Sequence, residues 1–253
     1  ARLPGERDAL VDLRERCHDA EQMDDPAVPV AAMAAALQEL DGINAWLGGY
    51  GTSLGLLRHR LRAADRPVRL LDVGAGGGGT AKHLSHWARR RDIDLEITLL
   101  DIHPAVCRVV AAAARDEAHL RIVQGDAFRL PFADGAFDYV HSALFLHHFP
   151  QAQVARLLME MRRVASAGVV VNDLHRHRVA YYSIRLIGRL FIRSPIVRHD
   201  APLSVRRGFR SGDLDGWRQN EALAGLGYRR RWPFRWAAWV FADGRGPREA
   251  SRV

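Results

Sequence analysis

Val68-Arg69-Leu70-Leu71-Asp72-Val73 runs directly into Gly74-Ala75-Gly76-Gly77-Gly78-Gly79-Thr80. A short apolar run bounded by glycine reads as a buried strand. The glycines let the backbone turn tightly and approach a ligand, while the start of the next helix offers unpaired N–H groups. Further along, helical stretches at 79–91, 104–116 and 151–165 alternate with the apolar runs EITLLDI, LRIVQGDA, FDYVHSA and AGVVVND. Strands that alternate with longer helices predict an α/β, doubly wound parallel sheet. Upstream, residues 6–19 and 27–40 read as helices, separated by the acidic break Glu21 to Asp25, with Pro26 suited to an early helical position. The expected organisation is a helical cover over 1–66 and an α/β domain over 67–253.

Gly74, Gly76 and Gly79 satisfy G-x-G-x-x-G, which fits a nicotinamide or flavin enzyme equally well. Asp72, two residues before the first glycine, gives Asp-x-Gly-x-Gly-x-Gly through Gly78, which resembles motif I of the class I S-adenosylmethionine (SAM) methyltransferases. In that family the acid lies near the amino acid portion of the cofactor. Asp101, closing the strand EITLLD, stands where an acid can accept hydrogen bonds from both ribose hydroxyls. Gly125-Asp126-Ala127-Phe128 resembles the family's adenine-binding turn, with Asp126 taking the exocyclic amine and Ala127 a backbone contact. The cofactor set implied by the resemblance is Asp72, Gly74, Ala75, Gly76, Gly78, Asp101, Ile102, Gly125, Asp126, Ala127, Ser142 and Trp46. It also implies a Rossmann-like sheet of seven strands, the last one antiparallel.

The strand Phe137-Asp138-Tyr139-Val140-His141-Ser142 leads into Ala143-Leu144-Phe145-Leu146-His147-His148-Phe149. This arrangement resembles the small-molecule O-methyltransferases rather than the Asn-Pro-Pro-Tyr enzymes that methylate amide or base nitrogens. A polyketide-like or phenolic acceptor of secondary metabolism is the narrower expectation. The resemblance implies that His147 or His148, with Asp173 after the fifth strand, serves as base for a hydroxyl; His199 with Asp200 is the second choice. Methylation of nitrogen, carbon or RNA and a non-catalytic SAM-binding module are the alternatives.

Other chemistries are poorly served. Lys82 is the only lysine, with Gly78 four residues before it, so neither a Tyr-x-x-x-Lys pair nor a Gly-Lys-Ser/Thr phosphate loop exists. No ligand spacing points to a metal, and Cys17 and Cys107 read as reduced thiols. With no long apolar run and no secretory core at the start, the expected location is cytoplasmic.

The net charge of +8 is unevenly spread. Between Arg176 and Arg235 there are 14 arginines against Asp200, Asp213, Asp215 and Glu221. Such a field suits an anionic or carrier-bound substrate, whereas no nucleic-acid-binding motif accompanies it. Residues 175–210 are expected to form a cap over the acceptor, with Tyr181, Tyr182, Ile184, Ile187, Leu190 and Phe191 as its apolar face. The other uses of such a helix are a membrane surface and a homodimer contact.

Overall fold

The computed structural model describes residues 11–247 except 116 and 118. Two helices, α1 (Val30–Trp46) and α2 (Gly49–Arg62), precede the α/β body. The body runs β1 (Val68–Val73), α3 (Gly79–Arg89), β2 (Leu95–Asp101), α4 (Pro104–Ala113), β3 (Leu120–Gln124), β4 (Phe137–Ala143), α5 (Gln151–Val164) and β5 (Ala165–Leu174). After it come α6 (Arg178–Phe191), α7 (Pro195–Arg207), α8 (Ser211–Arg218), β6 (Gly227–Arg231) and β7 (Arg235–Phe241). The strands form one seven-stranded sheet in the order β3-β2-β1-β4-β5-β7-β6. β1 is parallel to β2 and β4, and β7 is antiparallel to both its neighbours, as expected.

β1 is buried at every position but Arg69, because helices cover both faces of the sheet. One face packs Leu157, Met161 and Trp217. The other packs Leu57, Leu84 and Val110. The first crossovers run outward from β1 to β3 and then return to β4, so the strand order reverses between β1 and β4. A crevice opens outside the carboxyl ends of the strands at such a switch point.

The N-terminal segment differs from its helical expectation. Positions 6–10 lie outside the described residues, and 11–20 contain no helix. Tertiary arginines take the carbonyls that a helix would use: Arg176 donates to Leu13 O and Arg14 O, at 3.0 and 3.2 Å. Leu13 is buried against α6 and α7. Pro26 lies in a turn, and α1 starts after Pro29 instead. Within the cap segment, the apolar residues of α6 spread over more than one face. Tyr181 and Ile184 are buried, whereas Tyr182, Leu190 and Phe191 are exposed.

Candidate active site

The chain leaves β1 through Gly74, Gly76 and Gly78, with φ of 69°, 50° and 73°. These left-handed values favour glycine, and Gly78 forms the N-cap of α3. A cavity of about 850 Å³ opens at this loop, lined by Gly74 to Gly77, Asp101, Ile102, the Phe145–Phe149 turn and residues of α1, α6 and α7. That volume is near the upper end of ordinary ligand pockets, roughly 300 to 1,000 Å³, and suits two ligands side by side. A Cβ at Gly76 would project into nearly open space, with Leu37 its nearest neighbour at 3.8 Å.

Three carboxylates surround the glycine loop, and they do different things. Asp101 accepts the N–H of Gly76 at 3.3 Å and of His103 at 2.9 Å, so part of its acceptor capacity is unused. Burial lifts its pKa above the usual carboxylate value against these two bonds. Asp72 departs from its expected role: it is buried outside the cavity lining, its Oδ1 2.7 Å from His141 Nδ1. The chain of contacts continues from His141 Nε2 to Ser53 Oγ at 2.8 Å, and Asn172 Nδ2 donates to the same hydroxyl at 3.0 Å. Arg235 then links Asn172 to Asn44, so this network fixes α1 and α2 to the sheet. The acid that faces the cavity beside Gly77 and Gly79 is Asp41, from α1. Burial pushes its pKa up to about 6, despite Lys82 and the Gly79 N–H.

Beyond β4, Leu144 adopts φ 55° and redirects the chain into the 3-10 turn Leu146–His148. That turn delivers His147, whose Nδ1 is 2.7 Å from Asp173 Oδ1 at the end of β5. Its Nε2 lies 3.6 Å from Glu21 Oε1. The ring therefore sits between two buried carboxylates. Burial disfavours the charged ring, yet Asp173 and Glu21 outweigh it and raise the pKa of His147 to about 9. Glu21, also buried, is held down at about 2 by His147 and His148. His148 lines the cavity too, 3.2 Å from Asp24 Oδ1 and 3.8 Å from Glu21 Oε2.

Arg207 donates to His147 O and His148 O, and Arg16 donates to His147 O and Phe149 O, so arginines clamp the backbone of the turn. Among the described residues Glu21, His147 and His148 form the one group with metal-ligand proximity, a donor atom from each lying within 4.8 Å of the others. Arg207, 3.8 Å from both Glu21 and Asp24, already places a cation beside these carboxylates.

Not every expected residue reaches the cavity. Ser142 points into the sheet and donates to Val73 O at 2.9 Å. Gly78 caps α3, Ala127 is buried in the core, and Gly125 and Asp126 are not among the lining residues. The Asp126 carboxylate instead accepts the Phe128 N–H at 2.8 Å within its own turn. His199 is also outside the lining. Its partner Asp200 accepts the N–H groups of Gln22 and Met23, a structural anchor for the segment carrying Glu21. Trp46, Ile102, Gly74, Ala75 and Gly76 do line the cavity.

Residues 71–171 match the family described as a methyltransferase domain. Over this stretch the chain resembles the class I, SAM-dependent methyltransferases. It is similar to ajmaline N-methyltransferase of Rauvolfia serpentina, 32% identical over 149 residues, which cover 54% of this chain and 49% of that protein. It is also similar to demethylmenaquinone methyltransferase of Thermus thermophilus, 33% identical over 118 residues, covering 44% of this chain and 51% of that protein. The chain thus spans about half the length of these relatives. In fold, it resembles a SAM-dependent methyltransferase from Aquifex aeolicus, at 13% identity and a TM-score of 0.54, covering 82% of this chain and 97% of the other.

The methyl donor of the domain is SAM, and the residues around the glycine loop fit it. Asp101 has acceptor capacity left for ribose hydroxyls, the glycines leave room for close approach, and Asp41 supplies an acid for an ammonium. Because an ammonium beside Asp41 favours the carboxylate, SAM affinity should rise about tenfold between pH 5 and pH 7. Calorimetry across that range checks this. The Asp41→Asn variant should bind more weakly and lose the pH dependence, whereas an unaltered slope would place the ammonium elsewhere.

Proposed function

We propose that the chain transfers a methyl group from SAM to the hydroxyl of a small aromatic or polyketide-like molecule. The observation that carries this reading is the His147–Asp173 pair, 2.7 Å apart, at the edge of a cavity that also contains the glycine loop. SAM supplies a methyl group on a sulfonium, which is itself a good leaving group. The protein's share is to position the acceptor and accept its proton. Asp173 holds the Nδ1–H of His147, so the proton is taken at Nε2, the nitrogen that faces Glu21 at 3.6 Å. Met33, Leu37, Phe145, Phe149 and Ile184 provide the apolar lining expected around an aromatic ring.

The basicity of His147 narrows the acceptor. A ring that holds its proton up to about pH 9 is nearly matched to a phenol, pKa about 10. An aliphatic alcohol, nearer the value of about 15.7 for water, is not matched. Since the free ring is the active form, kcat/KM for a phenol should climb with pH and level off near 9. A plateau already reached below pH 7 would remove His147 from this role.

C-methylation of a phenol-type ring is the second reading, supported by the likeness to a ubiquinone/menaquinone biosynthesis C-methyltransferase of Idiomarina loihiensis, 33% identical over 106 residues. The same proton transfer would activate the ring carbon. Incubation with a panel of hydroxylated aromatics tests the choice: an O-methyl ether supports the first reading and a ring-methylated phenol the second.

A further inference from the structure

Exposed apolar side chains on this protein are not scattered. Among the described residues, every exposed large apolar side chain, apart from Val30, belongs to the cavity rim or to α6. Trp46, Ile102, Val179 and Trp232 are exposed and also line the cavity, Trp232 being 84% accessible and Trp46 74%. From this rim a stripe continues along α6 through Val179, Tyr182, Leu186 and Leu190, at spacings of three and four residues that hold one face of the helix. Phe191 ends the helix with 76% exposure. Rim and helix are physically joined, because Phe234 stacks on His177, the N-cap of α6, and also contacts Trp232. An exposed apolar area of this extent at a cavity mouth calls for a covering surface.

The charge beside the stripe identifies that surface. Arg178, Arg185 and Arg189 run along the flank of α6 next to the apolar stripe, with Arg193 beyond its end, and all four are exposed. From His175 to His199 there are six arginines and no acid. Exposed Arg230 and Arg231 directly precede Trp232. Val, Tyr and Leu on one side of a helix, with arginines on its flank and two tryptophans at the adjoining rim, are what a bilayer interface accepts: the apolar groups enter the acyl boundary and the guanidinium groups stay with lipid phosphates. A protein partner would present acids to these arginines but would not need the two exposed tryptophans, Trp46 and Trp232, at an open cavity. No helix of the described residues is long and apolar enough to cross a membrane.

We propose that the cavity rim and the outer face of α6 dock on the surface of an anionic lipid bilayer, with the cavity mouth turned toward the lipid. Docking in this orientation lets an apolar acceptor pass from the bilayer into the cavity without crossing water. That route rests on the proposed small-molecule acceptor, whereas the docking itself does not.

The test is sedimentation with vesicles of phosphatidylcholine and phosphatidylglycerol in equal parts, against phosphatidylcholine alone. The chain should pellet with the anionic vesicles, its tryptophan emission should move to the blue, and salt should reverse both effects. Arg185→Gln with Arg189→Gln should weaken this binding about tenfold to thirtyfold. Leu186→Glu with Leu190→Glu should abolish it. None of these four residues lines the cavity, so SAM affinity and transfer to a soluble phenol should stay unchanged in both variants. Absence of vesicle binding by the unaltered chain overturns the proposal, as does equal binding by the Leu186→Glu/Leu190→Glu variant. A dimer in light scattering that this variant converts to monomer, with no vesicle binding by either protein, assigns the face to self-association and also overturns it. Vesicle binding is read without any acceptor, so failure of the proposed reaction would be seen separately.

Discussion

Replacing His147 by Ala should lower turnover about 100-fold to 10,000-fold, the usual cost of removing a general base. SAM affinity should hardly change, because the ring is paired with Asp173 and Glu21, whereas Asp101 and the glycine loop are the groups that would hold SAM. The effect should appear in kcat. Asp173→Asn keeps the shape but removes the charge that raises His147, so it should slow the reaction and move the remaining pH profile to lower pH. His148→Ala should cost less, since that ring has Asp24 and Glu21 but no buried partner from the sheet. Single-turnover rates for the three variants with one phenol check the order. Wild-type rates for both His147→Ala and the double His147/His148 variant would place the proton acceptor elsewhere in the cavity.

Asp101→Ala should weaken SAM binding by roughly 1 to 3 kcal/mol, or about fivefold to 150-fold. The loss has two sources. Ribose hydroxyls would be buried without an acceptor, and the N–H groups of Gly76 and His103, which Asp101 now satisfies, would lose their partner. Asp72→Ala should also be harmful, but through the fold: His141 would lose its 2.7 Å partner inside the buried network. Thermal unfolding with and without SAM separates the two. Asp101→Ala should retain most stability and respond less to SAM, whereas Asp72→Ala should unfold earlier in both conditions.

The sheet and the position of its crevice were readable from the chain because they follow from local patterning. Apolar runs of strand length, glycines at the end of the first and helical stretches between them leave few alternatives. The pairing of His147 with Asp173 was also accessible, since both stand at the carboxyl ends of neighbouring strands. Asp72 shows where motif reading stops. The spacing puts an acid at the end of β1, but whether its side chain turns toward the cavity or toward His141 is decided by a neighbouring strand. Asp41, Glu21 and Arg207 were missed for a related reason. They come from α1, the N-terminal segment and α7, whose docking depends on long-range contacts such as Asp200 with Gln22 and Met23. Residues 11–19 read as helix because their composition permits it, but Arg176 and the core contact of Leu13 made an extended path better satisfied.

The most direct test is transfer from methyl-labelled SAM into a whole extract of the cells that make the protein, followed by isolation of the labelled compound and location of its new methyl group. An aromatic hydroxyl converted to its methyl ether, with loss of label for His147→Ala, is the predicted result. Label on nitrogen, on an aliphatic carbon or in polynucleotide, or equal labelling by His147→Ala, would contradict the account.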